Sequence, residues 1–255
     1  MRLHVNHKKK YVMITFPKSG CTSLEKTFNY LEIGDLSNYS DILNQKGSWE
    51  EKRAKIFVIS YIETINLKNK NAIDEFNFND FDNYYIFSIF RNTYDRVVSM
   101  YFNKFLGIDS STSHLKRRFS FNYFLDWIIR HKCNVRGDHH FNKQWIFEPA
   151  YLKVNQYINL NKINEILPDL YETKFSISKD KVKKILKDKH NALLKNKYDI
   201  DTKLDKYDFV EDVLNLNILK NGIPQNKLML TSECVYKIKQ LYGDEIDYFK
   251  FEVNY

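Results

Sequence analysis

The sequence predicts an α/β protein in which a parallel β-sheet is flanked by helices on both faces. Short apolar runs typical of buried strands are each followed by a polar turn, and amphipathic helical stretches alternate with them along the chain. In such sheets ligands bind just beyond the carboxyl ends of the strands. The polar turns are therefore the first places to look for a functional site.

Composition indicates a folded protein with a substantial core, because 43% of the 255 residues are hydrophobic and 16% are aromatic. The chain has no apolar run near the roughly 18 residues that a membrane span needs, and Met1–Lys10 is basic and unlike a secretory leader. These features predict a soluble, cytoplasmic protein without a membrane span. Cys21, Cys133 and Cys234 fit neither a disulfide framework nor a zinc site, which predicts reduced thiols.

A lysine-rich segment carries most of the formal net charge of +8, because Lys179–Lys197 holds eight lysines and two aspartates. The solvated face of a helix is the favoured interpretation, and contact with an anionic ligand is the alternative. Aromatic residues are abundant throughout, so their proximity to lysines does not indicate a nucleic-acid partner. We predict one domain, 1–255, with a lysine-rich, divergent insertion at 179–228.

The first strand and helix are predicted from adjacent patterns. Tyr11–Phe16 is apolar and β-branched, Pro17 ends it, and a helical spacing of apolar residues follows at Leu24, Phe28 and Leu31. Thr22 and Glu25 have the spacing of a capping box. Further strands are predicted at Ile56–Ile59, Tyr84–Phe90 and Tyr157–Leu160, and further helices from the turn after Phe90 through Phe105, at Phe121–His131 and at Ser232–Phe249.

The loop between the first strand and helix has the composition of an anion site. Backbone N–H groups at a helix start converge on an anion, a glycine permits close approach, and lysine and hydroxyl groups add donors. The segment consists of Pro17, Lys18, Ser19, Gly20, Cys21, Thr22 and Ser23. An ordinary capped helix is the alternative. The loop is not a Walker A motif, because its lysine precedes its only glycine.

A second anion-binding motif follows the strand at Tyr84–Phe90. Arg91 stands at the predicted carboxyl end of this strand, where a guanidinium can bind phosphate bidentately, and Ser99 lies in the helix that follows. Arg96, in the same helix, is interpreted as a structural ion-pairing residue.

Together the two motifs resemble the PAPS-dependent sulfotransferases, in particular the carbohydrate branch, where PAPS is 3'-phosphoadenylyl sulfate. The resemblance implies the P-loop-like sulfotransferase fold, with the loop at 17–23 binding the 5'-phosphosulfate and with Arg91 and Ser99 binding the 3'-phosphate. Asp138–Gln144 resembles an Asp-x-His-aromatic-x-x-Gln segment of the family, and Leu241–Phe249 resembles its closing segment. The chain departs from the family at two places: Ser60-Tyr61 stand where many relatives carry a histidine that acts as the base, and Asn161 stands in place of a glutamate common near the later strand.

The resemblance implies O-sulfation without a metal. Lys18 would neutralise the charge on the leaving phosphate, and His140 would take the proton of the acceptor hydroxyl, with His139 as the second candidate and Glu148 or a nearby acid as a third. The product would be PAP. The resemblance favours a glycan or glycolipid as the acceptor, with a protein tyrosine or a small alcohol as alternatives. A P-loop-type nucleotide or small-molecule kinase and a non-catalytic module that binds an acidic polymer are the competing hypotheses.

Overall fold

The computed structural model describes residues 1–17, 19, 21–33, 45–48, 51–52, 55, 62–67, 72, 75–102, 119–131, 141, 143–144, 153–187, 210 and 226–253. These residues form two compact units, the first drawn from 1–91 and 146–190 and the second from 92–145 and 191–255. The prediction of a single domain stays a prediction. The predicted strand Ile56–Ile59 and the pair Ser60-Tyr61 lie outside the described residues.

The first unit contains a five-stranded mixed sheet. Its strands are β1 (Arg2–Asn6), β2 (Tyr11–Thr15), β3 (Ile62–Asn66), β4 (Tyr85–Phe90) and β5 (Gln156–Asn159), in the order β3-β1-β2-β4-β5. Strands β2, β4 and β5 pair in parallel, whereas β1 is antiparallel to both of its neighbours. The predicted α/β class, with parallel strands flanked by helices, is confirmed. The sheet is mixed because the additional strand β1 forms a hairpin with β2.

The hairpin explains why a basic amino-terminal segment forms a strand. Leu3 and Val5 enter one hydrophobic cluster, while His4 and Asn6 point to the other face and are also buried. The Asn6 carboxamide accepts a hydrogen bond from the Lys9 backbone N–H at 2.8 Å, which stabilises the turn. Lysines therefore occupy the turn, and the strand itself is half apolar.

One face of the sheet is covered by three helices of the first unit: α1 (Cys21–Ile33), the helix Ile163–Phe175 and the helix Lys179–Lys187. The apolar positions Leu24, Phe28 and Leu31 of α1 are buried there, as their spacing predicts. The opposite face packs against the short 3-10 helix Phe78–Phe81 and neighbouring apolar residues.

A buried tyrosine pair links the covering helices to β2. The Tyr11 hydroxyl donates to the Glu32 carboxylate of α1, and its oxygen lies within hydrogen-bonding distance of the Tyr171 hydroxyl, at 3.2 Å. Burial, with the nearby Glu32 charge, raises the pKa of both tyrosines well above the usual 10.0. Lys9 pairs with the same carboxylate at 2.9 Å, so the acid has a counter-charge.

The second unit is helical in its described part. Its helices are α2 (Thr93–Met100), α3 (Phe121–Arg130), α6 (Asn226–Met229) and α7 (Ser232–Phe249). The numbers follow chain order, so the first-unit helices Ile163–Phe175 and Lys179–Lys187 are α4 and α5. Apolar side chains of α2, α3 and α7 form one cluster, in which Cys234 is a buried free thiol. The boundaries predicted for α3 and α7 agree with the structure to within one residue. None of the described helices is long and apolar enough to cross a membrane.

The first part of the lysine-rich segment is an amphipathic helix of the first unit. In α5, Val182 and Ile185 are buried in the core cluster, whereas Lys183, Lys184 and Lys187 are exposed. This agrees with the interpretation as a solvated helix face. Residues 188–209 and 211–225 lie outside the described residues.

Candidate functional site

The predicted anion loop begins with a tight turn after β2. The Ser19 backbone N–H donates to the Phe16 carbonyl at 3.1 Å, which closes a β-turn that has Pro17 in its second position. The Ser19 hydroxyl donates to the same carbonyl at 2.5 Å and accepts from the Phe16 N–H at 3.0 Å. Ser19 is fully buried, so the geometry uses its side chain to fix the turn rather than to present a donor to a ligand.

Helix α1 then begins at Cys21, directly beyond the turn. Its first backbone N–H groups, at Cys21, Thr22 and Ser23, have no acceptor within a helix and are the groups that bind anions elsewhere. No acidic residue lies in this first turn. The local charge pattern is therefore compatible with an anion. The side chains of Cys21, Thr22 and Ser23, and all of Lys18 and Gly20, lie outside the described residues.

The predicted capping box is not what the structure shows. The helix starts before Thr22, and the Glu25 carboxylate accepts a hydrogen bond from Arg2 of β1 at 3.0 Å. Glu25 is buried, so the Arg2 charge compensates the carboxylate close to the loop. The hairpin strand thus holds the first turns of α1 through an ion pair that sequence spacing alone does not reveal.

The carboxyl end of β2 has a buried histidine beside it. His4 Nε2 lies 3.2 Å from the Thr15 hydroxyl, and Nδ1 lies 3.3 Å from the Thr64 hydroxyl of β3. The ring also packs against Phe28 of α1. His4 therefore ties β1, β2, β3 and α1 together at the point where the loop leaves the sheet. Sequence analysis did not single it out, because its strand was not predicted.

Arg91 lies on the same edge of the sheet as the loop. Strands β2 and β4 are parallel neighbours in which Thr15 pairs with Ile89, so both chains leave the sheet in the same direction, about 4.8 Å apart. Arg91 follows β4 directly and is partly exposed. Within the first unit, the sheet therefore places close together the segment predicted to bind the 5'-phosphosulfate and the arginine predicted to bind the 3'-phosphate of the same ligand.

Of the remaining residues that sequence analysis named for the site, Ser99 belongs to the second unit and Asn161 to the first, and the others lie outside the described residues. Ser99 is a partly exposed residue of α2, whose start is capped by the Asn92 side chain, which accepts from the Tyr94 N–H at 3.0 Å. His139, His140 and Glu148 lie outside the described residues. Asn161 is exposed after β5, and its N–H donates to the Asn159 side chain at 3.0 Å. No described group of three or more acidic, histidine or cysteine side chains could hold a metal ion.

Arg96 has a different role from Arg91. It is fully buried, its Nη2 lies 2.9 Å from Glu245 Oε1, and its guanidinium lies over the Tyr242 ring at 4.8 Å. This agrees with its interpretation as a structural ion-pairing residue. The carboxylate partner, 149 positions away in the chain, could not be identified from spacing.

The fold places the start of a helix next to the carboxyl ends of parallel strands, an arrangement in which α/β proteins commonly bind anionic groups. Within this class of α/β proteins, a family model described as "Sulfotransferase family" matches residues 1–252, and the chain belongs to that family. The match supports sulfuryl transfer in general. None of the curated proteins or solved structures compared with the chain matches it.

Proposed function

We propose that the protein transfers the sulfuryl group of PAPS to a hydroxyl of a carbohydrate. The observation that carries the proposal is the position of two segments on one sheet edge: the loop that opens α1 and Arg91 at the end of the adjacent parallel strand. Membership of the sulfotransferase family supports PAPS as donor, because the family generally uses it. The carbohydrate acceptor rests on the resemblance to the carbohydrate branch.

The charges described around the loop favour an anionic donor. The first turn of α1 carries no acid, and Glu25, the first acid along the helix, is paired with Arg2. The N–H groups at 21–23 and the Lys18 ammonium would hold the 5'-phosphosulfate, while Arg91 and Ser99 would bind the 3'-phosphate. That selection would favour a 3'-phosphorylated nucleotide over ATP.

When bound, PAPS supplies the sulfuryl group: a bond forms between the acceptor oxygen and sulfur, and the bond from sulfur to the 5'-phosphate oxygen breaks, leaving its electron pair on PAP. We assign to Lys18 the stabilisation of that leaving oxygen, an electrostatic role that needs no metal. We assign to His140, with His139 as the second candidate, the removal of the proton from the acceptor hydroxyl.

Thermal unfolding with and without PAP tests the donor site without an acceptor. A ligand that binds only the native state adds about 2.7 kcal/mol at one hundred times Kd, which for a chain of this size raises Tm by about 5 to 11 °C. We expect this shift with PAP, a smaller one with ATP and Mg²⁺, and its loss in Arg91→Ala. Arg130→Ala, an exposed arginine of α3, is the matched control and keeps the shift.

A larger shift with ATP and Mg²⁺ than with PAP would favour the kinase hypothesis. Salt-sensitive binding of an acidic polysaccharide without any PAP shift would favour the non-catalytic module. With the PAP shift established, incubation with radiolabelled PAPS and a panel of oligosaccharides identifies the acceptor by label transfer. Transfer to phenolic or peptide acceptors alone would refute the carbohydrate part of the proposal.

A further inference from the structure

Arg2 of β1 lies at the edge of the sheet from which the chain leaves β2. In the antiparallel pairing of these strands it is opposite Thr15, the last residue of β2. Its side chain lies on the face covered by α1, because its Nη1 is 3.0 Å from the Glu25 carboxylate of that helix. The sheet therefore places a full positive charge beside the first turns of α1.

Glu25 is the first acid of α1 and lies close to the start of the helix. It follows the backbone N–H groups of Cys21–Ser23 by two to four residues, which is a rise of about 3 to 6 Å along the helix axis. Side chains of an α-helix lean toward its amino terminus, so the Glu25 carboxylate lies alongside the first turn. An anion held by the N–H groups of this turn would have that carboxylate as a near neighbour.

Water cannot screen the charge of Glu25 effectively, because its side chain is only 2% exposed, whereas that of Arg2 is 32% exposed. Charges in such partly buried positions interact with an effective dielectric constant of about 20, compared with about 80 in water, and salt screens them less than exposed charges. Without a counter-charge, the Glu25 carboxylate would repel an anion at the start of α1. The Arg2 guanidinium offsets this repulsion.

We propose that Arg2 sets the affinity of the donor site by neutralising Glu25, so that the start of α1 holds the 5'-phosphosulfate of PAPS without repulsion from a buried acid. The inference rests on the proposed function, in which this helix start binds the donor. Arg2 acts through Glu25 and is therefore a positioning residue that needs no contact with the donor. The ion pair then has a role in donor binding as well as in holding α1 against β1.

Two single variants separate this electrostatic role from a purely structural one by the sign of their effects. Arg2→Gln and Glu25→Gln both break the ion pair, so a purely structural role predicts the same change in PAP affinity for both. In the electrostatic role, Arg2→Gln leaves a buried negative charge, whereas Glu25→Gln removes that charge and leaves the cation. We expect Arg2→Gln to raise the Kd of PAP about fivefold to thirtyfold, and Glu25→Gln to leave it unchanged or to lower it.

Three further variants provide rescue and a matched control. The double variant Arg2→Gln with Glu25→Gln should restore a Kd close to that of the wild type, and Arg2→Lys, which keeps the charge, should retain it. Lys9→Gln breaks a comparable pair on α1, in which Lys9 is 30% exposed and lies 2.9 Å from Glu32, itself 4% exposed. Glu32 lies seven residues beyond Glu25, about 10 Å further from the helix start, so Lys9→Gln should leave the Kd of PAP unchanged.

Isothermal titration calorimetry with PAP measures these dissociation constants, and adenosine 3'-phosphate shows which end of the ligand is affected. Because this nucleotide lacks the 5'-phosphate, Arg2→Gln should weaken its binding less than that of PAP. Equal losses of PAP affinity in Arg2→Gln and Glu25→Gln, or no loss in Arg2→Gln, would overturn the inference.

Failure of the proposed function would give a different result. A wild type that does not bind PAP would overturn that function, and inorganic sulfate added to ¹⁵N-labelled protein then probes the helix start by itself. Sulfate-induced shifts of the Cys21–Ser23 backbone N–H signals that weaken in Arg2→Gln and return in the double variant would support the role of Arg2 toward an anion other than PAPS. Shifts equal in all variants would overturn the role of Arg2, and no shift in the wild type would overturn both proposals.

Discussion

Removing the charge of Glu245 should destabilise the protein strongly, because Arg96 would be left buried without its counter-ion. Both side chains are fully inaccessible, and their charged atoms are 2.9 Å apart. Removing one partner of such a buried pair costs about 3 to 5 kcal/mol, and the Thr93 hydroxyl and Gln144 N–H would also lose their acceptor. We expect Glu245→Leu to lower the free energy of unfolding by at least about 3 kcal/mol, measured by urea denaturation followed by circular dichroism.

A double-mutant cycle tests the cause of this loss. Arg96→Met should be similarly destabilising, whereas Arg96→Met combined with Glu245→Leu should cost about 2 to 3 kcal/mol less than the sum of the single changes. The wild-type m-value should be retained, since the same surface is exposed on unfolding. A loss below about 1 kcal/mol for Glu245→Leu, or strictly additive effects, would refute the reasoning that an uncompensated buried charge dominates.

Three further outcomes are expected. Lys18→Ala should retain the PAP-induced Tm shift and lose most turnover; turnover equal to the wild type would exclude Lys18 from charge neutralisation. His140→Ala should lose the limb of the pH–rate profile that reports the base, and an unchanged profile would exclude it. Burial raises the pKa of Tyr11 above its unfolded value, so the stability that this shift contributes is fully present below about pH 10. Above that pH the free energy of unfolding should fall by up to about 1.4 kcal/mol per pH unit for each such tyrosine. Tyr11→Phe should reduce this alkaline slope, whereas Tyr236→Phe, the control at an exposed tyrosine of α7, should not. Equal slopes in the two variants would contradict the assignment of the alkaline loss of stability to Tyr11.

The strands that sequence analysis located are those with continuous apolar patterns. Strands β2 and β4 were predicted to within about one residue, because strands buried on both faces read as apolar runs. The edge strand β5, in which only Ile158 is buried, was located with similar accuracy. Strands β1 and β3 were missed. In β1 the polar side chains His4 and Asn6 face the covered side of the sheet and are paired there by partners from other segments.

The helix α4 was missed for a related reason. It contains Pro168, which argues against a helix interior, yet its buried face places Leu167, Leu170 and Tyr171 against the sheet. Tertiary packing outweighs the local preference in this case. The helices α3 and α7 were found because their apolar residues recur at helical spacing between recognisable ends.

For the candidate site, sequence patterns identified the segments but not their internal partners. The loop at 17–23 and Arg91 were recognised from composition and order, and the sheet register accounts for their proximity. The ion pair of Arg2 with Glu25 and the bonds of Glu245 join residues far apart in the chain. No spacing rule links such residues, so the groups that hold the site together became visible only with the fold.

The exposed lysines of α5 contribute to the net charge of the protein without taking part in its core. Lys183, Lys184 and Lys187 face solvent while Val182 and Ile185 anchor the helix. Changing these three lysines to glutamate removes two units of charge each and takes the formal net charge from +8 to +2. Such a variant would retain the anchored face, yet an anionic nucleotide would approach it through a weaker long-range field. Electrostatic steering of the donor could thus be measured apart from its recognition, as a change in the association rate and its ionic-strength dependence.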